Sequence, residues 1–366
     1  MLYRTIGLMS GSSLDGLDIV FAELNENSGN WEYEIKAADC LEYPEEWKTR
    51  LQEAVSLNAL DYLLLHTEYG NYLGKEVNRF IEKNDLHYQV SLIASHGHTT
   101  FHVPSKKMTA QLGDGSAIAA ETKLPVVSDL RALDVAFGGQ GAPIIPVGEK
   151  LLWKDHSMFL NIGGIANISF NLPDTYIAYD VCPANRVMNM IAQRVNKDFD
   201  AGGEMAALGN VHEGMLEKIN ASDYYRQPYP KSLANSFGTA EMYPLVRSFG
   251  LTHNDELRTY TEHVVTQVKR AVVDGLSMQS KDTDKKLFVT GGGAFNHFLI
   301  QRLSEVLKPE GVEVVVPGEE IVKYKEALVM ALIGVLRWRQ EYNVYASVTG
   351  AERNSIGGAL WNGQEA

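Results

Sequence analysis

The chain has 366 residues, 45% hydrophobic and 22% charged, enough apolar side chains to bury sizeable cores in two globular domains. A formal net charge of −13 leaves no basic stripe to replace counterions on a phosphate backbone, so a nucleic-acid partner is not expected, and anionic membranes should repel the chain. No apolar run approaches the ~20 residues needed to span a bilayer.

The chain opens as a β-hairpin. Residues 6–9 and 17–24 are apolar runs joined by Ser10-Gly11-Ser12-Ser13-Leu14-Asp15-Gly16. Residues 31–38 read as a third strand, with Trp31, Tyr33 and Ile35 alternating. Pro44 opens a helical region to about residue 84, with apolar residues at mixed three- and four-residue spacings. A short strand over 90–94 ends at Ser95-His96-Gly97-His98. A turn at 111–115 precedes a helix over 116–122 and a strand over 125–129. Alternation of strand and helix implies an α/β fold. Residues 136–146 form a Gly- and Pro-rich loop.

A second round follows. It has a strand over 159–162, a Gly163-Gly164 turn, a strand over 166–170, a third strand over 176–180 and a helix over 186–195. Its order repeats that of the first half. Beyond it lie a polar stretch with a helix over 211–219 and a long helix over 257–278. A strand over 287–290 then runs into Gly291-Gly292-Gly293, followed by a helix over 296–307, a strand over 312–316 and a last helix over 325–342.

Four glycine-marked turns thus stand at strand ends, where ligands of open α/β sheets gather. In the first hairpin, glycines let a ligand approach the backbone and successive N–H groups make an anion site. Ser12 and Ser13 add hydroxyl donors there, and Asp15 or Asp18 can orient a hydrated cation. The same spacing also suits an ordinary Ser/Gly/Asp turn. Cys40 and Cys182 stand in unlike contexts, so no disulfide framework is implied. The first residues read as a strand and not as a cleavable leader, and the chain is expected to be cytoplasmic.

Nearly the whole chain resembles the anhydro-N-acetylmuramic acid kinase family, within the actin, Hsp70 and sugar-kinase superfamily. The resemblance rests on MSGSSLDGLD, SHGHTTFH, SDLRALDVAFGGQGAPIIP, LNIGGIANIS, YDVCPANRVMN, VTGGGAFNHFLIQRL and KEALVMALIG. It implies an α/β fold of two actin-like (ribonuclease H-like) domains around a nucleotide cleft. The domains are expected at 1–132 with 343–366, and at 133–342. ATP phosphates are expected between the turn of Gly11, Ser12, Ser13, Leu14, Asp15, Gly16, Leu17 and Asp18 and the turn of Gly163 and Gly164. Adenosine is expected near Gly291, Gly292 and Gly293, and Mg2+ on the phosphates. The implied reaction opens the anhydro ring of 1,6-anhydro-N-acetylmuramic acid with water and phosphorylates the released O6, in peptidoglycan recycling. The family also implies a homodimer.

By the resemblance, Asp180 is the catalytic base toward water, which attacks an anomeric carbon as in glycoside hydrolysis. The residues alone also allow a helix N-cap or turn carboxylate. Arg131 matches a family arginine near the sugar, where a guanidinium suits a carboxylate; a salt bridge to Asp129 or Asp134 is the plainer alternative. Glu326 matches a family glutamate facing the sugar, or is a first-turn helix acid. His96 and His98, two apart, would share a face on a strand. With His102 they suggest a metal, but we read His96 and His98 as sugar or phosphate contacts and expect no protein metal site. His98 stands where the family has glutamine. Cys182 and Ala184 replace two glycines of the family pattern Asp-x-Gly-Pro-Gly-Asn. That replacement leaves open a same-fold kinase for another sugar, or a catalytically weak nucleotide-binding regulator. Cys182 is read as packing, with a depressed thiol pKa at a helix N-terminus as the alternative.

Overall fold

A computed structural model describes residues 1–11, 14, 16–172, 175–229, 231–234, 236–278 and 285–363. The chain divides into two compact units, Met1–Trp153 with Tyr324–Ala366, and Lys154–Lys323.

In the first unit, β1 (Leu2–Ser10), β2 (Gly16–Asn27) and β3 (Asn30–Glu42) form an antiparallel meander. β4 (Leu92–Ser95) adds parallel to β1. β5 (His98–Val103) and β6 (Met108–Leu112) make a separate two-stranded ribbon, and β7 (Val126–Ser128) pairs parallel to β4. The ribbon was not foreseen, and it takes residues 111 and 112 out of the expected turn. In the second unit, β8 (Met158–Ile162), β9 (Ile165–Asn171) and β10 (Tyr176–Pro183) form another antiparallel meander. β11 (Lys286–Thr290) lies parallel to β8, and β12 (Glu313–Val315) parallel to β11. The chain then returns to the first unit, where β13 (Ala359–Trp361) closes the sheet against β7.

The sheet orders are β13-β7-β4-β1-β2-β3 and β10-β9-β8-β11-β12. Both place the third, second and first strands side by side, followed by two parallel strands. This is the actin-like, ribonuclease H-like arrangement, occurring once in each unit.

The central strands of each sheet are buried on both faces. On β1, Ile6 and Leu8 join Leu65, Tyr69, Leu73 and Val77 of the helix Ala59–Lys83. The intervening Gly7 lies under the helix Glu319–Trp338, where a Cβ would sit 2.0 Å from the Ala327 carbonyl oxygen. In the second unit Gly275 of the helix His253–Leu276 meets the Phe170 ring, with 2.0 Å to the nearest carbon from a Cβ. Both contacts are backbone-close because the glycines have no side chain.

Local chemistry sets several ends differently from expectation. The region 44–84 is broken into Glu45–Glu53, a 3-10 turn Ala54–Ser56 and Ala59–Lys83. Leu57 is extended and Asn58 caps the last helix, accepting from the N–H groups of Leu60 (3.0 Å) and Asp61 (3.1 Å). The expected domain limits at 132 and 342 fall inside the first unit. Asp134 ties the 139–141 loop to Thr349, and Gly148 packs under Val329 of the C-terminal helix. These contacts keep 133–153 and 324–342 with the first unit.

Candidate active site

Two groups of expected site residues assemble, one in each unit. In the first unit the group is built on strand ends. Gly97, with φ +71°, breaks the chain between β4 and β5. His96 and His98 therefore do not share a strand face, contrary to expectation. His96 is buried and His98 starts β5. The Arg131 Nε–H donates to His96 Nε2 at 2.7 Å, and Arg131 Nη1 donates to the Gly141 carbonyl at 2.6 Å. A guanidinium only donates, so His96 Nε2 is an acceptor. The proton then sits on Nδ1, 2.8 Å from the Gly97 carbonyl. This imidazole is neutral: burial, aided by the Arg131 charge, lowers its pKa to about 3.

Neither salt bridge considered for Arg131 forms. The buried Asp134 carboxylate instead accepts from the Gly141 N–H (2.8 Å) and the Thr349 hydroxyl (2.7 Å). A Cβ on Gly139 would lie 2.3 Å from Asp134 Oδ2, so glycine there lets the loop wrap the carboxylate. Arg131 is half-buried. Desolvation lowers its pKa to about 10, opposed by Glu326 and Asp134, and it stays charged at neutral pH. Its Nη2 makes no hydrogen bond among the described residues. Glu326 is also half-buried; burial raises its pKa, with Lys325 and Arg131 opposing. The helix begins at Glu319, so Glu326 lies about two turns in and is not a first-turn acid. Beside it, Lys325 and Glu149 form a buried ion pair at 2.7 Å.

Sequence reasoning missed a hydroxyl chain in this unit. Tyr43 OH lies 2.5 Å from Tyr69 OH and 2.8 Å from Ser10 Oγ, which lies 3.2 Å from His98 Nδ1. It fastens the end of β1, and hence the entry to the first turn, to His98. No local signal pairs Tyr43 with Ser10, since their meeting depends on sheet register. Of the first turn, Ser12, Ser13 and Asp15 lie outside the described residues. Leu14 is buried with φ +58°, Gly16 abuts the Leu41 carbonyl, Leu17 is buried, and Asp18 is half-buried on β2. The exit residue Gly11 accepts from the Leu14 N–H at 3.4 Å. His102 bonds Thr109 across the ribbon at 3.1 Å. Among the described residues no three His, Cys, Asp or Glu side chains gather as a metal site.

In the second unit Asp180 stands on β10 at a bulge, where the pairing slips between Asp180 and Cys182. Such bulges re-aim side chains. Asp180 Oδ2 accepts from the Leu233 N–H at 2.8 Å, and its backbone carbonyl accepts from Tyr224 OH at 2.6 Å. It caps no helix: Ala184 occupies the N-cap of Asn185–Gln193 without a side-chain bond. Burial raises the Asp180 pKa, opposed by the Leu233 hydrogen bond. Cys182 is buried, and burial with the nearby Asp180 charge pushes its thiol pKa up, which overturns the activated-thiol alternative. Neither Cys182 nor Ala184 has positive φ, and Ala184 has φ −125°, so no left-handed backbone demands glycine at either position.

The turns of Gly163, Gly164 and Gly291 to Gly293 meet at the carboxyl ends of β8 and β11. The Gly163 and Gly164 carbonyls accept from the N–H groups of Asn185 (3.1 Å), Ala184 (2.8 Å) and Arg186 (3.3 Å). Asn185 Nδ2 donates to the Ile162 carbonyl at 3.0 Å. Gly291 has φ +81°, and a Cβ on Gly293 would strike Ile162 Cγ2 at 2.3 Å, so packing accounts for both. Gly292 differs: it is exposed, and a Cβ there would meet only Asn185 Nδ2, at 3.6 Å. Packing does not require that glycine.

The profile of the family described as anhydro-N-acetylmuramic acid kinase matches residues 3–363. The protein of that name from Francisella tularensis subsp. novicida is 33% identical, over 97% of each chain. Its counterpart from Sulfurovum sp. is 32% identical over 98% of this chain and 99% of its own. That from Gloeobacter violaceus is 33% identical over 95% and 96%. Among solved structures, the activator of the 2-hydroxyisocaproyl-CoA dehydratase from Clostridium difficile with bound ADPNP superposes with a TM-score of 0.47. It has 13% identity and covers 92% of this chain and 96% of its own.

Proposed function

Because the chain belongs to the anhydro-N-acetylmuramic acid kinase family, we propose that it uses ATP to open and phosphorylate 1,6-anhydro-N-acetylmuramic acid. The product is N-acetylmuramic acid 6-phosphate, made in the cytoplasm during peptidoglycan recycling. The observation that carries this reading is the match over residues 3–363, which includes every motif holding a site residue.

In this reading Asp180 removes a proton from the water that attacks the anomeric carbon. Its raised pKa suits a base, and the Leu233 N–H orients one oxygen while the other remains for water. The C1–O6 bond breaks, and O6 takes the γ-phosphoryl group of ATP in place of a proton. Arg131, anchored through Nε and Nη1, presents Nη2 to the lactyl carboxylate. Neutral His96 holds that guanidinium in orientation. Glu326 faces sugar hydroxyls, and His98 faces the sugar or a phosphate oxygen.

Phosphates rest on Gly163 and Gly164, with adenosine against Gly291, Gly292 and Gly293, and the turn from Gly11 to Asp18 is the anion-binding turn of the first unit. The open face of Gly292 supports this arrangement. Asp18 or Asp15 would orient a hydrated Mg2+, which would neutralise phosphate charge when bound. A homodimer completes the reading, supported by the family resemblance.

The test is ADP release coupled to a spectrophotometric readout, with Mg-ATP and the anhydro-sugar. Sugar-dependent turnover is expected, and Asp180→Asn should lower kcat by ~100-fold or more. ATP binding without sugar-dependent turnover would reject the reading.

A further inference from the structure

The assignment of nucleotide phosphate to the Gly163-Gly164 turn leaves one cation near that turn without a role. Resting on that assignment, we propose that Arg186 is a phosphate-binding residue, its guanidinium pairing with a phosphate of the bound nucleoside triphosphate over Gly164.

Arg186 is the second residue of the helix Asn185–Gln193. Its backbone N–H donates to the Gly164 carbonyl at 3.3 Å. Its side chain folds back over the same glycine: Nε and Nη2 lie 3.4 and 3.6 Å from the place a Gly164 Cβ would take. Nε is shut off from water and has no hydrogen-bond partner. Arg186 forms no ion pair among the described residues, although acidic residues outnumber basic ones 46 to 33 in this chain. A charged donor withdrawn from water without an acceptor is costly. Pairing with a phosphate would remove that cost, and the planar fork of arginine matches phosphate oxygens.

The site is local. The turn that brings phosphate, the helix that carries Arg186 and the Asn185 amide beside Gly292 are all in the second unit. Because its side chain lies over Gly164 and it is Asn185 that stands beside Gly292, the arginine reads the charged part of the nucleotide and not the base. It adds one fixed positive charge to a protein whose overall field repels polyanions.

The experiment is calorimetric titration of the full chain with Mg2+ and a non-hydrolysable ATP analogue, and separately with adenosine. It uses the unsubstituted protein, Arg186→Met and Arg186→Lys, with thermal midpoints recorded for each. Arg186→Met should weaken the triphosphate by ~10- to 100-fold and leave adenosine unchanged. Arg186→Lys should recover part of the loss, since it restores charge without the fork. Equal triphosphate affinity in Arg186→Met and the unsubstituted protein overturns the proposal while leaving the kinase reading intact. Equal weakening of both ligands with a lowered midpoint makes the arginine structural and also overturns it. Failure of the unsubstituted protein to bind the analogue removes the phosphate assignment itself, and the proposal with it.

Discussion

At His96 a neutral ring is held by two contacts that work in one protonation state: Nε2 accepts from Arg131 and Nδ1 donates to Gly97. Its pKa is about 3 in the folded chain and near 6.5 when unfolded. As pH falls below about 6.5 the unfolded chain binds a proton that the native state refuses. Stability attached to this residue is complete above pH 6.5 and is lost between there and about 3, at up to ~1.4 kcal/mol per pH unit. His96→Gln cannot titrate. Its unfolding midpoint, followed in urea from pH 7 to 5, should decline less steeply than that of the unsubstituted chain. Parallel slopes would show that His96 is not held neutral. His96, Arg131 and Glu326 were legible as candidates because motifs mark them. Their contacts were not, since the Arg131 bond to His96 joins residues far apart in the chain.

For the strands and helices, the glycines separate packing from function. Gly7→Ala drives a methyl into the Ala327 carbonyl and the Ala331 nitrogen, 2.0 and 2.7 Å away. Overpacking of this kind costs ~1–3 kcal/mol or more, so the thermal midpoint should fall by several degrees. Gly292→Ala meets nothing closer than 3.6 Å. Its midpoint should stay within about a degree of the parent, as for a surface change, while affinity for the ATP analogue drops. A Gly292→Ala protein with unchanged nucleotide affinity would remove the adenosine from this turn. The third meander strand, the long helices and the short buried strands were readable from periodicity and turn chemistry, whereas the Asn58 cap inside 44–84 and the parallel pairing of the strands were not. The β5–β6 ribbon was not: its strands are short and polar, and only their mutual hydrogen bonds define them.

Each of the two units of the whole molecule has its own sheet and core, with the chain leaving the first unit after Trp153 and returning at Tyr324. A ligand that binds only folded protein stabilises it by mass action, ~2.7 kcal/mol at one hundred times its Kd. The Mg2+ complex of the ATP analogue should therefore raise the unfolding midpoint in proportion to the logarithm of its concentration. No shift at saturating analogue would contradict a nucleotide site anywhere in the chain. Among the described residues no helix is long and apolar enough to cross a membrane.

From the amino-acid order alone came the α/β class, the repeated order of hairpin, third strand and helix, the family, and most residues of the proposed site. These are local matters: apolar period, turn residues and short motifs are written in neighbouring positions. The tertiary structure alone decided the unit limits, the protonation of His96, the bulge at Asp180, and the Arg186 Nε left without an acceptor over Gly164. Each depends on which distant backbone or side chain excludes water from a given atom, and on whether an acceptor stands there when it does.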